Sequence, residues 1–388
     1  MPHFLRSACF LAFTFLLCTS GRAQQTFTGM LRDSLTNEPV AFATVYIDGT
    51  SKGDVTTDDG TFTLYNVQLP ATLVVSHLNY VTLNMGLNPA LGPLELRLTS
   101  RQEVLASVEV NGANGRAKNL AEFRRLLLGT GEWADKSELV NDKVLRFDRD
   151  YASQTVKVFK AGMRSMLRNR QQPSATWNRD SSEYTFDKAL NLKVTTRGPL
   201  EVRLPHLGYV LRADYESFLS DYASARTMYL CTNFFQAVKK VTRQHLRNRA
   251  RAYRGSTMHF TRALVADSMV DNGFRVFEVV KDSYGAEQNV EYDLRQHLSK
   301  LDGPGHVLKG LRGREFVVFY YADANFKPLP KEKWRRAQPV QSRIYVDADR
   351  CLIYPGGVFG DAFLAFAGDM GMRGLAGTLP QDYVYPAD

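Results

Sequence analysis

Ala41-Phe42-Ala43-Thr44-Val45-Tyr46-Ile47 alternates along its length, and Asp48-Gly49-Thr50 stops it with turn chemistry. A period of two closed by a turn reads as a half-buried β-strand. Working outward, Asp58-Asp59-Gly60 is a hairpin signal ahead of Phe62-Thr63-Leu64. Leu73-Val74-Val75 and Leu94-Glu95-Leu96-Arg97-Leu98 supply later strands. No helical period runs through Phe27–Leu98. Roughly seven short strands at 8–12-residue spacing predict an all-β sandwich.

The chain around this module has 388 residues, 44% of them apolar and 11% aromatic. That is enough for about two or three packed domains and excludes a fibrous or disordered class. Met1 to Ala23 carries Arg6, an apolar run from Ala8 to Cys18, and Gly21 and Ala23 at the −3 and −1 positions of a cut before Gln24. This pattern predicts a secretory signal peptide over 1–23. Lipidation at Cys18 would anchor the protein, but bulky Leu17 stands where a small residue is wanted. No later segment has 18 consecutive apolar residues, so no transmembrane helix is expected in the mature chain. The expected location is exported, in the periplasm or associated with the outer membrane. Of the four cysteines, Cys231 and Cys351 remain after the cut. An oxidising compartment allows a bridge between them, while their apolar neighbours suit two buried thiols.

Charge divides the chain. Residues 24–115 hold four basic and nine acidic side chains, net −5, and residues 116–388 are net +12. Asn111-Gly112-Ala113-Asn114-Gly115 has turn composition where the sign changes. The expected organisation is a sandwich at 24–110, a linker at 111–118 and an α+β domain at 119–388. In that second domain, Leu120, Phe123, Leu127 and Leu128 stripe a helix over 119–134. Further helices are expected at Thr242 to about Val270 and near 289–300 and 361–371. Strands are expected at 144–147, 155–159, 192–195, 200–204, 208–211, 274–280, 316–321, 342–346 and 351–354, with a loop between 172 and 182.

Two resemblances attach to these residues. Gly29-x-x-x-Asp33, Asn37-Glu38-Pro39-Val40-Ala41-Phe42-Ala43-Thr44-Val45, Gly49-Thr50-Ser51-Lys52-Gly53 and Thr57-Asp58-Asp59-Gly60-x-Phe62 resemble the carboxypeptidase-like regulatory domain. The resemblance implies a Greek-key sandwich of the transthyretin (prealbumin) type. Glu103 to Val110 is similar to the short strand that closes this module in exported Gram-negative proteins. Further on, Phe123-Arg124-Arg125-x-x-Leu128-Gly129, Leu207-Gly208-Tyr209, Tyr253-Arg254-Gly255-Ser256-x-x-His259-Phe260-x-Arg262 and Leu379-Pro380-x-Asp382-Tyr383 resemble an exported family that fuses this sandwich to a C-terminal region. That resemblance implies architecture and brings no activity.

Because the first resemblance is to a domain of zinc carboxypeptidases, the seven histidines were read for metal spacing. None gives His-x-x-Glu, and neither His-Glu-x-x-His nor Cys-x-x-Cys occurs. No metal or other cofactor is expected. Asp54, Asp58 and Asp59 suit a solvated turn better than a calcium site, which needs six or more oxygens. Gly-x-Ser-x-Gly and a phosphate-binding loop are also missing.

One stretch stands apart. Residues 222–266 contain nine basic residues and no Asp or Glu. On a helix, Lys240, Arg243, Arg247, Arg251 and Arg254 fall at three- and four-residue steps and form one cationic stripe. Their mutual repulsion calls for compensation, either by acidic residues elsewhere in the fold or by an anionic partner. Beside them, His259 and Arg262, near Tyr253 and Ser256, form the one constellation suited to proton transfer, although apolar neighbours suit a packed histidine. The leading expectation is a non-catalytic exported protein that binds or scaffolds a cell-envelope component, whether protein, glycan or anionic lipid. Nucleic acid is not expected as a partner of an exported chain. The alternative is an envelope-polymer hydrolase centred near His259.

Overall fold

The computed structural model describes residues 24–101, 113–157, 176–178, 182–360 and 364–386. The expected leader at 1–23, the closing strand at 103–110, residues 111–112 and most of the loop around Pro173 lie outside them. The chain divides into two compact units. One holds the described residues up to Asp48 and Lys52–Arg101, and the other holds Gly49–Ser51 and the described residues beyond Arg101.

The first unit is built from β1 (Gln25–Asp33), β2 (Thr44–Ile47), β3 (Gly53–Val55), β4 (Thr61–Val67), β5 (Ala71–Ser76), β6 (Leu83–Leu87) and β7 (Leu94–Leu98). They form two sheets, ordered β4-β1-β7 and β3-β2-β5-β6, with β1 parallel to β7 and antiparallel to β4. Leu31, Val45, Ile47, Phe62, Leu64, Leu73 and Val75 fill the core. This is the expected β-sandwich. Two local readings change. The strand read at 41–47 begins only at Thr44, and Phe42 is 72% exposed with a φ of 59°. The Asp58-Asp59-Gly60 turn closes no hairpin, because β3 and β4 lie in different sheets. Gly60 has a φ of +78°, and a Cβ there would sit 2.5 Å from the Leu31 carbonyl oxygen, so the crossing requires glycine.

In the second unit, α1 (Ala113–Leu128) begins inside the stretch read as linker. It ends at Gly129, where a Cβ would come within 2.3 Å of the Met372 carbonyl oxygen, and α2 (Glu132–Lys136) follows. The helix read at 119–134 is therefore two helices. Phe123, Leu127 and Leu128 pack in one core with Phe147, Leu200, Leu211 and Phe218. The sheet there orders Glu138–Leu139, Leu200–Leu204, Tyr209–Asp221, Asn191–Thr196 and Leu145–Asp148, with Arg226–Ala237 also paired to Tyr209–Asp221. That last strand, 12 residues long, was not read from the acid-free stretch containing it.

A second core holds Phe260, Leu264, Phe274, Phe316, Ile344 and Ile353. It involves a five-stranded sheet (Glu287–Glu291, Phe274–Lys281, Glu315–Tyr320, Val340–Val346, Leu364–Gly368) and a four-stranded one (Leu298–Lys300, His306–Lys309, Arg350–Tyr354, Val358–Phe359). The helices read near 289–300 and 361–371 are overturned. Residues 287–291 and 298–300 are strands flanking a 3-10 turn, and Leu364–Gly368 pairs with Ser342–Val346 before a four-residue helix at Asp369–Met372. Strand pairing outweighs local helix preference at these sites. No helix among the described residues is long and apolar enough to cross a membrane. No disulfide joins Cys231 and Cys351 in the structure.

Candidate functional site

The part of the acid-free stretch beyond Thr242 folds as two helices, α3 (Arg243–Tyr253) and α4 (Thr257–Val265), where one run to about Val270 was expected. Thr242 starts α3 with a reciprocal capping box. Its hydroxyl accepts from the His245 backbone N–H, and the His245 ring accepts from the Thr242 N–H, both at 3.2 Å. Gly255 (φ +69°) breaks the run, since a Cβ there would meet the Tyr320 ring at 2.7 Å. Ser256 then caps α4 by accepting from the His259 N–H at 3.2 Å. The dipeptide Gly255-Ser256 is a helix stop followed by a helix start, a signal present in the sequence.

This break divides the five-residue stripe. Lys240 lies ahead of the cap, outside the helix. Arg254 is the C-cap of α3 and is buried, with Nε donating to the Tyr385 hydroxyl at 2.7 Å and Nη1 to the Asn325 carbonyl at 3.2 Å. Neither belongs to a helical surface stripe. Arg243, Arg247 and Arg251 remain, all exposed and spaced by four. Arg247 donates to Gln244 Oε1 at 2.8 Å, and Arg251 lies over the Trp133 and Phe326 rings. Among the described residues, none of the three has a carboxylate within ion-pair distance.

The other guanidiniums of the region turn inward to backbone oxygen. Arg249 is buried over Tyr209, 3.8 Å from the ring centroid, and donates to the carbonyls of Leu207 at 2.8 Å and Gly208 at 3.1 Å. Arg262 donates to three carbonyls, Gly356 at 3.0 Å, Tyr383 at 2.9 Å and Gln381 at 3.0 Å. Arg373, which sequence reasoning did not single out, donates to the carbonyls of Ala252 and Arg254 and pairs with Asp369. Carbonyls are acceptors that a count of acidic residues does not include.

His259 lies in the core, 4% exposed. Its Nδ1 accepts from the Gly255 N–H at 3.0 Å, so Nε2 carries the proton and faces Asn272 Oδ1 at 2.9 Å. Burial holds its pKa down at about 4, with the charges of Arg373, Arg254 and Arg262 acting the same way and the Asn272 contact opposing them. Both ring nitrogens are engaged by neutral groups, and the ring packs on Tyr253, Phe274 and Tyr320. This is the environment of a structural histidine. Asn272 is its hydrogen-bond partner.

Two clefts open in this unit. One, of about 340 Å³, has Phe235, Met258, Phe359, Phe366, Met370 and Leu379 in its wall and no carboxylate among its lining residues, so it can hold an apolar group. The other, of about 230 Å³, lies beside Arg251. Among the described residues no group of three or more His, Cys, Asp or Glu side chains can hold a metal ion. In the sandwich, Asp54 accepts from the Thr63 N–H and Asp59 from the Thr61 hydroxyl.

Comparison with known proteins places the first unit. No curated protein sequence matches the chain. Among solved structures, a protein of unknown function from Bacteroides fragilis, provisionally described as membrane-associated, is 10% identical over 55% of this chain and 95% of its own, with a TM-score of 0.17. A 9R-lipoxygenase from Cyanothece is 12% identical over 64% of this chain and 48% of its own, with a TM-score of 0.16. Scores this low establish no shared fold. The family model described as CarboxypepD_reg-like domain matches residues 27–110. The chain therefore carries a CarboxypepD_reg-like domain, whose described part is the seven-stranded sandwich.

Proposed function

We propose that this is an exported, non-catalytic protein that binds an anionic component of the cell envelope through the exposed face of α3. The observation that carries the reading is the row Arg243, Arg247 and Arg251, solvent-facing and without carboxylate partners among the described residues. Three cations at four-residue spacing repel one another along a helix by a few tenths of a kcal/mol per pair, and an external anion relieves that cost. Their joint potential extends about 8–10 Å at physiological salt, enough to recruit a dense anionic surface.

The test is cosedimentation of the mature chain with lipopolysaccharide and with phosphatidylglycerol vesicles at low and high salt. Reversing Arg243, Arg247 and Arg251 together to Glu is expected to abolish salt-sensitive binding and leave the thermal melt nearly unchanged. A folded triple variant that binds as wild type does, or a wild type that never binds, overturns the proposal.

A further inference from the structure

The cleft beside Arg251 has a lining that simple charge attraction does not require. Trp133 and Phe326 form aromatic walls, and the Arg251 guanidinium carbon sits 5.7 Å from one ring centroid and 5.6 Å from the other. Trp133 is itself held by His206, stacked at 5.0 Å between centroids with planes 22° apart, so the wall is set before any ligand arrives. Two carboxylates, Glu132 and Asp369, also line the space.

The charges balance except at one point. Arg373 is paired with Asp369, its Nε donating at 2.8 Å. Glu132 is paired with Lys136 at 2.7 Å. Among the described residues, Arg251 is the charged lining residue with no carboxylate within ion-pair distance, although its charge helps to hold the Glu132 pKa down from further off. A carboxylate whose charge is already paired still has lone pairs to accept from hydroxyl groups. Aromatic walls accept the apolar C–H face of a ring, and an unpaired guanidinium accepts one anion. A bare phosphate uses neither the rings nor the carboxylates. An acyl chain leaves the carboxylates without donors.

We infer that this cleft reads a single sugar ring bearing one negative charge. Arg251 binds the anionic substituent, Trp133 and Phe326 contact the ring, and Glu132 and Asp369 accept from its hydroxyls. The inference rests on the proposed binding role of α3 and narrows its ligand to an acidic saccharide unit. The charge can come from a uronic-acid carboxylate or a sugar phosphate, which have the same requirement for Arg251.

The experiment is calorimetric titration of the mature chain with trigalacturonate, galactose 1-phosphate and neutral galactotriose, beside vesicle cosedimentation. Binding of either acidic sugar and not of the neutral one is expected, and which acidic sugar binds identifies the source of the charge. Arg251→Gln is expected to weaken acidic-sugar binding by about tenfold, in keeping with loss of a charge-assisted hydrogen bond, while Lys240→Gln, off the helix, changes it by less than about twofold. Phe326→Leu, which leaves the Trp133–His206 stack untouched, is expected to weaken sugar binding without altering vesicle binding. Equal binding of neutral and acidic sugars, equal effects of Lys240→Gln and Arg251→Gln, or no sugar binding overturns the inference. In the last case, retained vesicle binding leaves the role of α3 standing, and loss of both overturns the two together.

Discussion

The two faces of the α3–α4 pair carry the same residue type and use it in opposite ways. Outward, Arg243, Arg247 and Arg251 keep their charge in solvent. Inward, Arg249, Arg254 and Arg262 spend their donors on backbone carbonyls, those of Arg262 lying more than ninety residues further along the chain. The difference shows what offsets a run of nine cations without an acidic residue. Most of the compensation comes from carbonyl dipoles and aromatic faces, which hold a guanidinium in place without a countercharge. Arg226 pairs with Asp347, while Lys239, Lys240 and the outward row have no ion pair among the described residues, and it is there that a ligand has something to gain.

The sharpest way to break this contrast is to remove an inward guanidinium. Arg254→Met is expected to cost about 2 kcal/mol, since the buried guanidinium loses its hydrogen bonds to the Tyr385 hydroxyl and the Asn325 carbonyl. A thermal or urea melt reads it, and a loss below about 1 kcal/mol would mean the inward face is as dispensable as the outward one.

His259 tests the same interior by pH. Its folded pKa of about 4 lies below the ordinary 6.5, so between these values the unfolded chain binds a proton that the folded chain refuses. Stability contributed by the neutral ring is full above about pH 6.5 and falls as pH drops toward 4. By linkage the loss between pH 7 and pH 5 is about 2 kcal/mol. Melts of wild type and His259→Gln at the two pH values check it, because the variant lacks this component of the pH dependence. An NMR titration placing the ring near 6.5 would remove the effect and its cause.

The smallest expected change is the most direct contrast with Arg254. Arg243→Ala, at an exposed helix position without an ion pair among the described residues, should alter stability by no more than about 0.5 kcal/mol. A larger loss, measured by the same melt, would show that the outward row has a structural partner after all.

What could be read from the chain differs between the two units for a physical reason. In the sandwich, strand period and turn chemistry are local, so Ala43, Val45, Ile47, Phe62 and Leu64 announce their core without reference to distant residues. Even there, the Asp58-Asp59-Gly60 turn was legible as a turn, while its role in joining two sheets was not. In the second unit, alternation gave strands at 200–204, 274–280 and 342–346, close to the observed Leu200–Leu204, Phe274–Lys281 and Val340–Val346, and periodicity gave α1 but not its ends. The strand at 364–368 exists because Ser342–Val346 offers it an edge, and the alternation within its own five residues does not reveal that pairing.

The site follows the same division. Composition and spacing determined that a basic, acid-free stretch exists, that part of it is helical, and that Arg243, Arg247 and Arg251 share a face. Tertiary structure alone decided that Arg254 is buried, that His259 is locked between Gly255 and Asn272, and that Trp133 and Phe326 come together at Arg251. Helical spacing fixes which side chains share a face, because it depends on residues within one or two turns. Burial and partner choice also depend on segments far along the chain, such as Asn325 and Tyr385 for Arg254, and those distances are set only when the chain has folded.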